Sequence, residues 1–248
     1  MAAKERIDKL MVQLQLTASR ERARALILAG RVLVDEQTVD KVGTRVYPDA
    51  SIRLRGEDIP YVSRGGLKLA KALEAFKLDV TGRIAIDVGA STGGFTDCLL
   101  QNDAAMVVAV DVGYGQLAWS LRNDDRVVNL ERTNIRHLTT EQLDTIPDLA
   151  VIDASFISLD KVLPATLSLL APGSDIVALI KPQFEVGKGQ VGKGGIVRDP
   201  KQHAEVIEKI KLLATVLGCR IVDVCESPLL GPKGNREFLI HLHMETNI

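Results

Sequence analysis

From residue 83 onward the chain alternates apolar runs that end in a polar residue with stretches of helical spacing. The runs are RIAIDVG, MVVAVDVG, RVVNLE, DLAVIDAS and DIVALIKP. Segments of Val, Ile and Ala this short, with no polar face, are strands covered on both sides, and the intervening helices supply the cover. The pattern predicts an α/β fold with a mostly parallel sheet, helices on both faces and ligands beyond the strands' C-terminal ends. CRIVDVCES and NREFLIHLHM add a final hairpin-like pair, which brings the sheet to seven strands.

The part before residue 83 is organised differently. Ile7, Leu10, Met11 and Leu14 recur at helical spacing, and a second stripe runs through Ala23, Leu26 and Ile27. Thr17 or Ser19 can cap the second helix and Gly30 can stop it. RVLV and SIRLR read as short strands around the turn-prone DEQT. A length of 248 residues accommodates a small domain plus a medium one. RGEDIPYVSRGG carries the joint, with Gly65-Gly66 before the helical GLKLAKALEAF. The expected division is residues 1–58, a linker over 59–65, and residues 66–248.

Charge separates the same parts. Residues 1–83 hold 16 Lys and Arg against 11 Asp and Glu, while the rest holds 15 against 21. A basic front on an acidic body suits a polyanionic partner. Arg20, Arg22, Arg24 and Arg31, with Arg6 and Ser19 beside them, are the candidate phosphate contacts, which would position RNA without reading its bases. R-I-D-K-L followed by S-R-E-R-A-R-A-L-I-L-A-G-R-V-L-V-D resembles the S4 RNA-binding domain from residue 4 to about 58. That resemblance implies a small α/β module that grips structured RNA. The turn after the valines, usually Asn-Gly, is Asp35-Glu36 here.

The first strand of the larger part delivers DVGASTGGF into a helix. Gly89, Ser91, Gly93, Gly94 and Phe95 form a turn whose glycines let backbone approach a ligand. The dinucleotide fingerprint G-x-G-x-x-G is broken at its second glycine. Asp111, with Val112 beyond it, ends the next strand about twenty residues on and can accept from two ribose hydroxyls. Asn134 can reach an adenine. A carboxylate at Asp87 would repel a pyrophosphate but suits the ammonium of S-adenosylmethionine, so that cofactor is favoured over NAD. A Rossmann-like sheet of seven strands agrees with a methyltransferase rather than a six-stranded dehydrogenase.

Asp153 and Lys181 end the fourth and fifth strands, Glu237 opens the last, and Lys68 lies on the entering helix. Methylating a ribose 2′-hydroxyl requires removing a proton from a weak acid. A lysine whose pKa is lowered by a neighbouring ammonium and by burial can do so, with carboxylates orienting it. The N/D-P-P-Y/F signature of amino-directed enzymes is replaced by Asp153-Ala154-Ser155-Phe156, and no cysteine nucleophile lies there. The Lys-Asp-Lys-Glu set is similar to that of FtsJ-type 2′-O-methyltransferases. SRGGLKL, DVGASTGGFTDCLL, VIDASFISL, IKPQFEVGKG and GGIVRDP are similar to the TlyA (haemolysin A) family along nearly the whole chain. This implies methyl transfer to the 2′-oxygen of cytidine in ribosomal RNA, with Lys68, Asp153, Lys181 and Glu237 as the catalytic set and Lys181 as base.

GKGQVGKGG, residues 187–195, is not a Walker A loop, because Gly194 stands where a magnesium-binding Ser or Thr is required. It follows the fifth strand and is expected to act as a lid, with Lys188 and Lys193 meeting RNA phosphate. Cys98, Cys219 and Cys225 lack metal spacing, and His241 with His243 make no site, so no metal is expected. The absence of a long apolar run or signal-like start gives a cytoplasmic expectation. Two alternatives stay open: an inactive RNA-binding assembly factor and a membrane-lytic haemolysin. An aromatic content of 4% argues against the second.

Overall fold

The computed structural model describes residues 3–17, 19–55, 59–187, 189, 191, 192 and 194–246. The chain forms two compact units, Met1–Pro60 and Tyr61–Ile248.

The first unit runs β1 (Glu5–Arg6), α1 (Ile7–Gln13), α2 (Arg20–Leu28), β2 (Val32–Val34), β3 (Gln37–Val39), β4 (Arg45–Val46) and β5 (Ile52–Leu54). Ile7, Leu10 and Met11 of α1 pack on Ala23, Leu26 and Ile27 of α2 and on Val32. Leu14 does not join them: α1 ends before it and the side chain is exposed. Ser19 caps α2 by accepting from Arg22 N at 3.1 Å, and the Thr17 hydroxyl donates to the Ser19 carbonyl. The segment expected as a DEQT turn is only half turn. Asp35 and Glu36 both adopt positive φ, and Gln37–Val39 is a strand of its own, paired with β2. Two contacts hold this glycine-free hairpin turn: Asp35 accepts from Ser51 N at 3.0 Å, and Arg53 Nε donates to Glu36 at 2.7 Å.

The second unit contains α3 (Gly65–Phe76), β6 (Ile84–Val88), α4 (Gly94–Gln101), β7 (Met106–Val110), α5 (Trp119–Arg122), β8 (Val127–Leu130), β9 (Leu149–Ile152), α6 (Leu159–Leu167), β10 (Asp175–Ile180), α7 (Pro182–Glu185), α8 (Pro200–Val216), β11 (Cys219–Glu226) and β12 (Phe238–Met244). The seven strands lie in the order β11-β12-β10-β9-β6-β7-β8. β8, β7, β6, β9 and β10 are parallel, and β12 runs antiparallel between β10 and β11. Side chains alternate between two cores. Ile86, Ile152, Ile176 and Ile180 face α6 and α8, while Ala85, Val107, Val151 and Leu179 pack with Leu69, Phe95 and Leu99 of α3 and α4.

Register aims the site. Val88 pairs with Ile152, so Gly89 and Asp153 leave neighbouring strand ends together. Ile180 pairs with Phe238, so Lys181 and Glu237 stand opposite one another. Strand order switches between β6 and β9: the chain builds outward through β7 and β8 on one side and through β9 and β10 on the other. At such a switch open α/β sheets form their ligand crevice.

Candidate active site

Four charged side chains meet at the C-terminal ends of β9 and β10. Lys181 Nζ lies 2.5 Å from Asp153 Oδ1 and donates to Ser155 Oγ at 2.8 Å. Lys68 Nζ lies 2.6 Å from Glu237 Oε2 and 4.0 Å from Asp153 Oδ2. Asp153 therefore stands between two ammonium groups. Lys181 and Glu237 are buried, Lys68 and Asp153 nearly so. Burying four charges is tolerable only as alternating pairs. Glu237 Oε1 has no protein partner among the described residues. The carboxylate occupies the space where a Cβ on Gly231 would stand.

These groups line a cavity of about 540 Å³ together with Ser63, Arg64, Asp87 and Gly89. A second cavity of about 470 Å³ continues between the ends of β6, β7 and β9 and shares Gly89, Ser91, Asp153 and Ser155 with the first. Its walls include Val88, Val110, Ile135, Ile157 and Val162, with Asp111, Gln116, Thr133 and Asn134 as polar groups.

The other expected cofactor residues fall in and around these cavities with differing surroundings. Asp111 accepts from Ser91 N at 2.8 Å and Gly113 N at 2.6 Å, which orients the carboxylate and leaves each oxygen further acceptor capacity. Val112 borders the cavity and is exposed. Asn134 spends its side-chain oxygen on Arg136 N, 3.1 Å away, so a contact to a base falls to its NH₂ or backbone. Asp87 is fully buried, and its Oδ2 accepts from Thr96 N at 2.9 Å and Oγ1 at 2.7 Å. Its Oδ1 has no protein partner among the described residues. Burial, reinforced by the Asp153 charge and opposed by the Thr96 bonds, pushes this carboxyl up to about 7.

Two of the glycines also have a packing reason, while Gly94 still lines the catalytic cavity. At Gly93 a Cβ would meet Leu121 and, at 2.8 Å, Leu117; at Gly94 it would meet Ser63 and, at 2.8 Å, Gly66 N. Their missing side chains admit neighbouring protein. Phe95 borders the catalytic cavity but belongs mainly to the core.

Sequence patterns missed Ser155, Thr96, Arg64 and Phe156. Phe156 is 91% exposed, adopts φ +64 and tilts against Phe184 at 5.2 Å between ring centroids. A bulky residue in that backbone region is a strained outlier, and only the lost N/D-P-P-Y/F signature draws attention to its position.

In the first unit, Asp8 is buried between Arg6 and Arg20, with contacts of 2.9 Å to each. The Arg6 hydrogen bond, then that of Arg20, holds its carboxyl down at about 2. Both arginines expose their outer parts. Arg24 is exposed and Arg22 partly buried, while Arg31 donates to the Arg55 carbonyl at 3.0 and 3.1 Å. Lys188 and Lys193 lie outside the described residues. His241 and His243 each contact Asp175 Oδ1 at 3.0 Å, at the opposite end of the sheet from the site. Among the described residues no group of three His, Cys, Asp or Glu could hold a metal ion, and no helix is long and apolar enough to cross a membrane.

Comparison with known proteins matches residues 5–52 to the S4 domain and residues 61–244 to the FtsJ-like methyltransferase family. The chain belongs to the TlyA (haemolysin A) family. It is 50% identical over its full length to 92% of the 16S/23S rRNA (cytidine-2′-O)-methyltransferase TlyA of Mycobacterium tuberculosis. It is 41% identical, over 95% of this chain and 98% of the relative, to Hemolysin A of Brachyspira hyodysenteriae. A solved haemolysin-family structure from Streptococcus thermophilus matches with a TM-score of 0.77 and 45% identity, over 99% of this chain and 90% of that one. The TlyA-type chain thus pairs an S4 domain with a methyltransferase fold.

Proposed function

We propose that this chain methylates the 2′-oxygen of a cytidine in ribosomal RNA, using S-adenosylmethionine. One observation carries the reading: the Lys68–Glu237 and Lys181–Asp153 pairs share a cavity that opens directly into one of nucleoside size and polarity. The cofactor supplies, when bound, an electrophilic methyl group on a sulfonium. The residues fit it: Asp87 presents an unpartnered buried oxygen for an ammonium, and Asp111 stands at a strand end with acceptor capacity for a ribose.

In this reading Lys181 acts as the neutral amine: having first released a proton to solvent, it receives the 2′-hydroxyl proton as the oxygen attacks and returns to the ammonium that pairs with Asp153. Asp153 and Ser155 fix its Nζ, and Lys68, braced by Glu237, supplies a second cation beside Asp153. Phe156 offers the target base a face on which to stack. Arg6, Arg20, Arg22, Arg24 and Arg31 of the S4 domain hold RNA by its phosphates. The glycine-rich loop is proposed as a lid over the bound nucleotide, and its far root is fixed where Val197 N donates to Asn235 at 3.0 Å.

The test is to incubate the protein with methyl-labelled S-adenosylmethionine and ribosomal subunits, then digest the RNA to nucleosides. Label in 2′-O-methylcytidine is expected. Label confined to bases, or none in RNA, would refute the reading.

A further inference from the structure

Lys181 and Phe156 sit on different loops; the sheet fixes the neighbouring strand ends from which these loops leave, but not the course of the loops beyond them. The loop after β9 carries Asp153, Ser155 and Phe156 and ends at Ser158, the N-cap of α6. The loop after β10 begins with Lys181 and continues as the single-turn helix α7, which ends at Glu185. Glu185 is buried, yet it lies outside the catalytic set. Its Oε1 accepts from Leu159 N at 2.8 Å and its Oε2 from Ser158 Oγ at 2.5 Å. Lys209 of α8 approaches Oε2 at 3.6 Å and donates to the Glu185 carbonyl at 2.8 Å.

A buried carboxylate is costly unless donors surround it, and here they do. Glu185 shares the capping of α6 with Ser158, whose hydroxyl accepts from Asp160 N at 3.3 Å while Glu185 takes the buried Leu159 N, but its own place on the other loop makes that cap a bridge. What Glu185 adds is a connection between loops. It ties the end of α7 to the end of the Phe156 loop, with the Phe184–Phe156 ring contact between that tie and the Lys181–Asp153 pair. The two loops are thus joined at both ends of α7.

We propose that Glu185 is a positioning residue that locks the β10 loop to the β9 loop, setting Lys181 against the site where the target nucleotide lies. This rests on the reading of Lys181 as base. Displacement of a reacting group by about 1 Å costs on the order of 100-fold, so the effect belongs in the rate of transfer and not in cofactor affinity.

The test is a cycle of single-turnover methyl transfer to ribosomal subunits at saturating S-adenosylmethionine, with calorimetric cofactor affinity and melting recorded for each variant. Glu185→Gln retains an acceptor for Leu159 N and a group that can bond Ser158, so its rate should stay within about threefold of wild type. Glu185→Ala should lose roughly 10- to 100-fold in rate with cofactor affinity unchanged. Added to Lys181→Met it should lower the residual rate no further, because it acts through Lys181. The tie is wrong if Glu185→Ala transfers at the wild-type rate, if its loss is matched by lost cofactor affinity, or if the two losses multiply. Should Glu185→Ala fail to fold, Ser158→Ala, which breaks one of the two bonds, must show a smaller rate loss that likewise vanishes beside Lys181→Met. A Lys181→Met protein with normal turnover would instead remove the base reading. The proposal would fall with it, whereas a slow Lys181→Met beside a Glu185→Ala at the wild-type rate would refute the tie alone.

Discussion

Asp87 links protons, stability and cofactor through one carboxyl. Its pKa of about 7 exceeds the ordinary carboxylate value because burial outweighs the two Thr96 bonds. The folded, ligand-free chain therefore holds this proton more tightly than the unfolded chain does. The resulting stability is complete below about pH 4 and is lost as pH rises toward 7, on the order of 4 kcal/mol in all. An ammonium docking on the free Oδ1 requires the carboxylate. S-adenosylmethionine binding at pH 6 should thus release close to one proton, and affinity should fall up to about tenfold per pH unit below 7. Calorimetry in two buffers of different ionisation heat measures the release. Asp87→Asn should abolish it, and a wild type that released no proton would contradict this coupling of protonation to cofactor binding.

At the scale of elements, much was legible and the exceptions have physical causes. Five apolar runs predicted five parallel strands, four of them buried and the edge strand β8 only partly so. Polar residues at strand ends marked Asp153 and Lys181, because a parallel sheet delivers its C-terminal ends to one crevice, and Glu237, because the antiparallel β12 starts there. Gln37–Val39 escaped, since two exposed polar residues in a three-residue strand leave no apolar alternation. The roles of Gly93, Gly94 and Gly231 escaped because each depends on a tertiary neighbour. Gly231 makes the point testable. A Cβ there would collide with the Glu237 carboxylate, whose burial leaves it little room to retreat. Gly231→Ala should break the Lys68–Glu237 pair, destabilise the unit by about 1–3 kcal/mol and slow transfer. An unchanged melting point together with an unchanged rate would contradict that packing.

For the whole molecule, the proposed reading divides the work between the two units. The second unit holds its own core and both cavities. Residues 61–248 alone should bind S-adenosylmethionine within about twofold of the full chain, yet methylate ribosomal subunits at least tenfold more slowly once the S4 domain's phosphate contacts are gone. Equal labelling by both proteins would end that division of labour. The most direct measurement is the single-turnover methylation rate of full-length Lys181→Met on ribosomal subunits. Methionine keeps the aliphatic stem and removes the amine placed to take the 2′-hydroxyl proton. Cofactor and RNA affinities should stay within a few-fold while the rate falls by roughly 10² to 10⁴. A Lys181→Met protein that binds both ligands and transfers methyl at a near-normal rate would contradict the proposed chemistry.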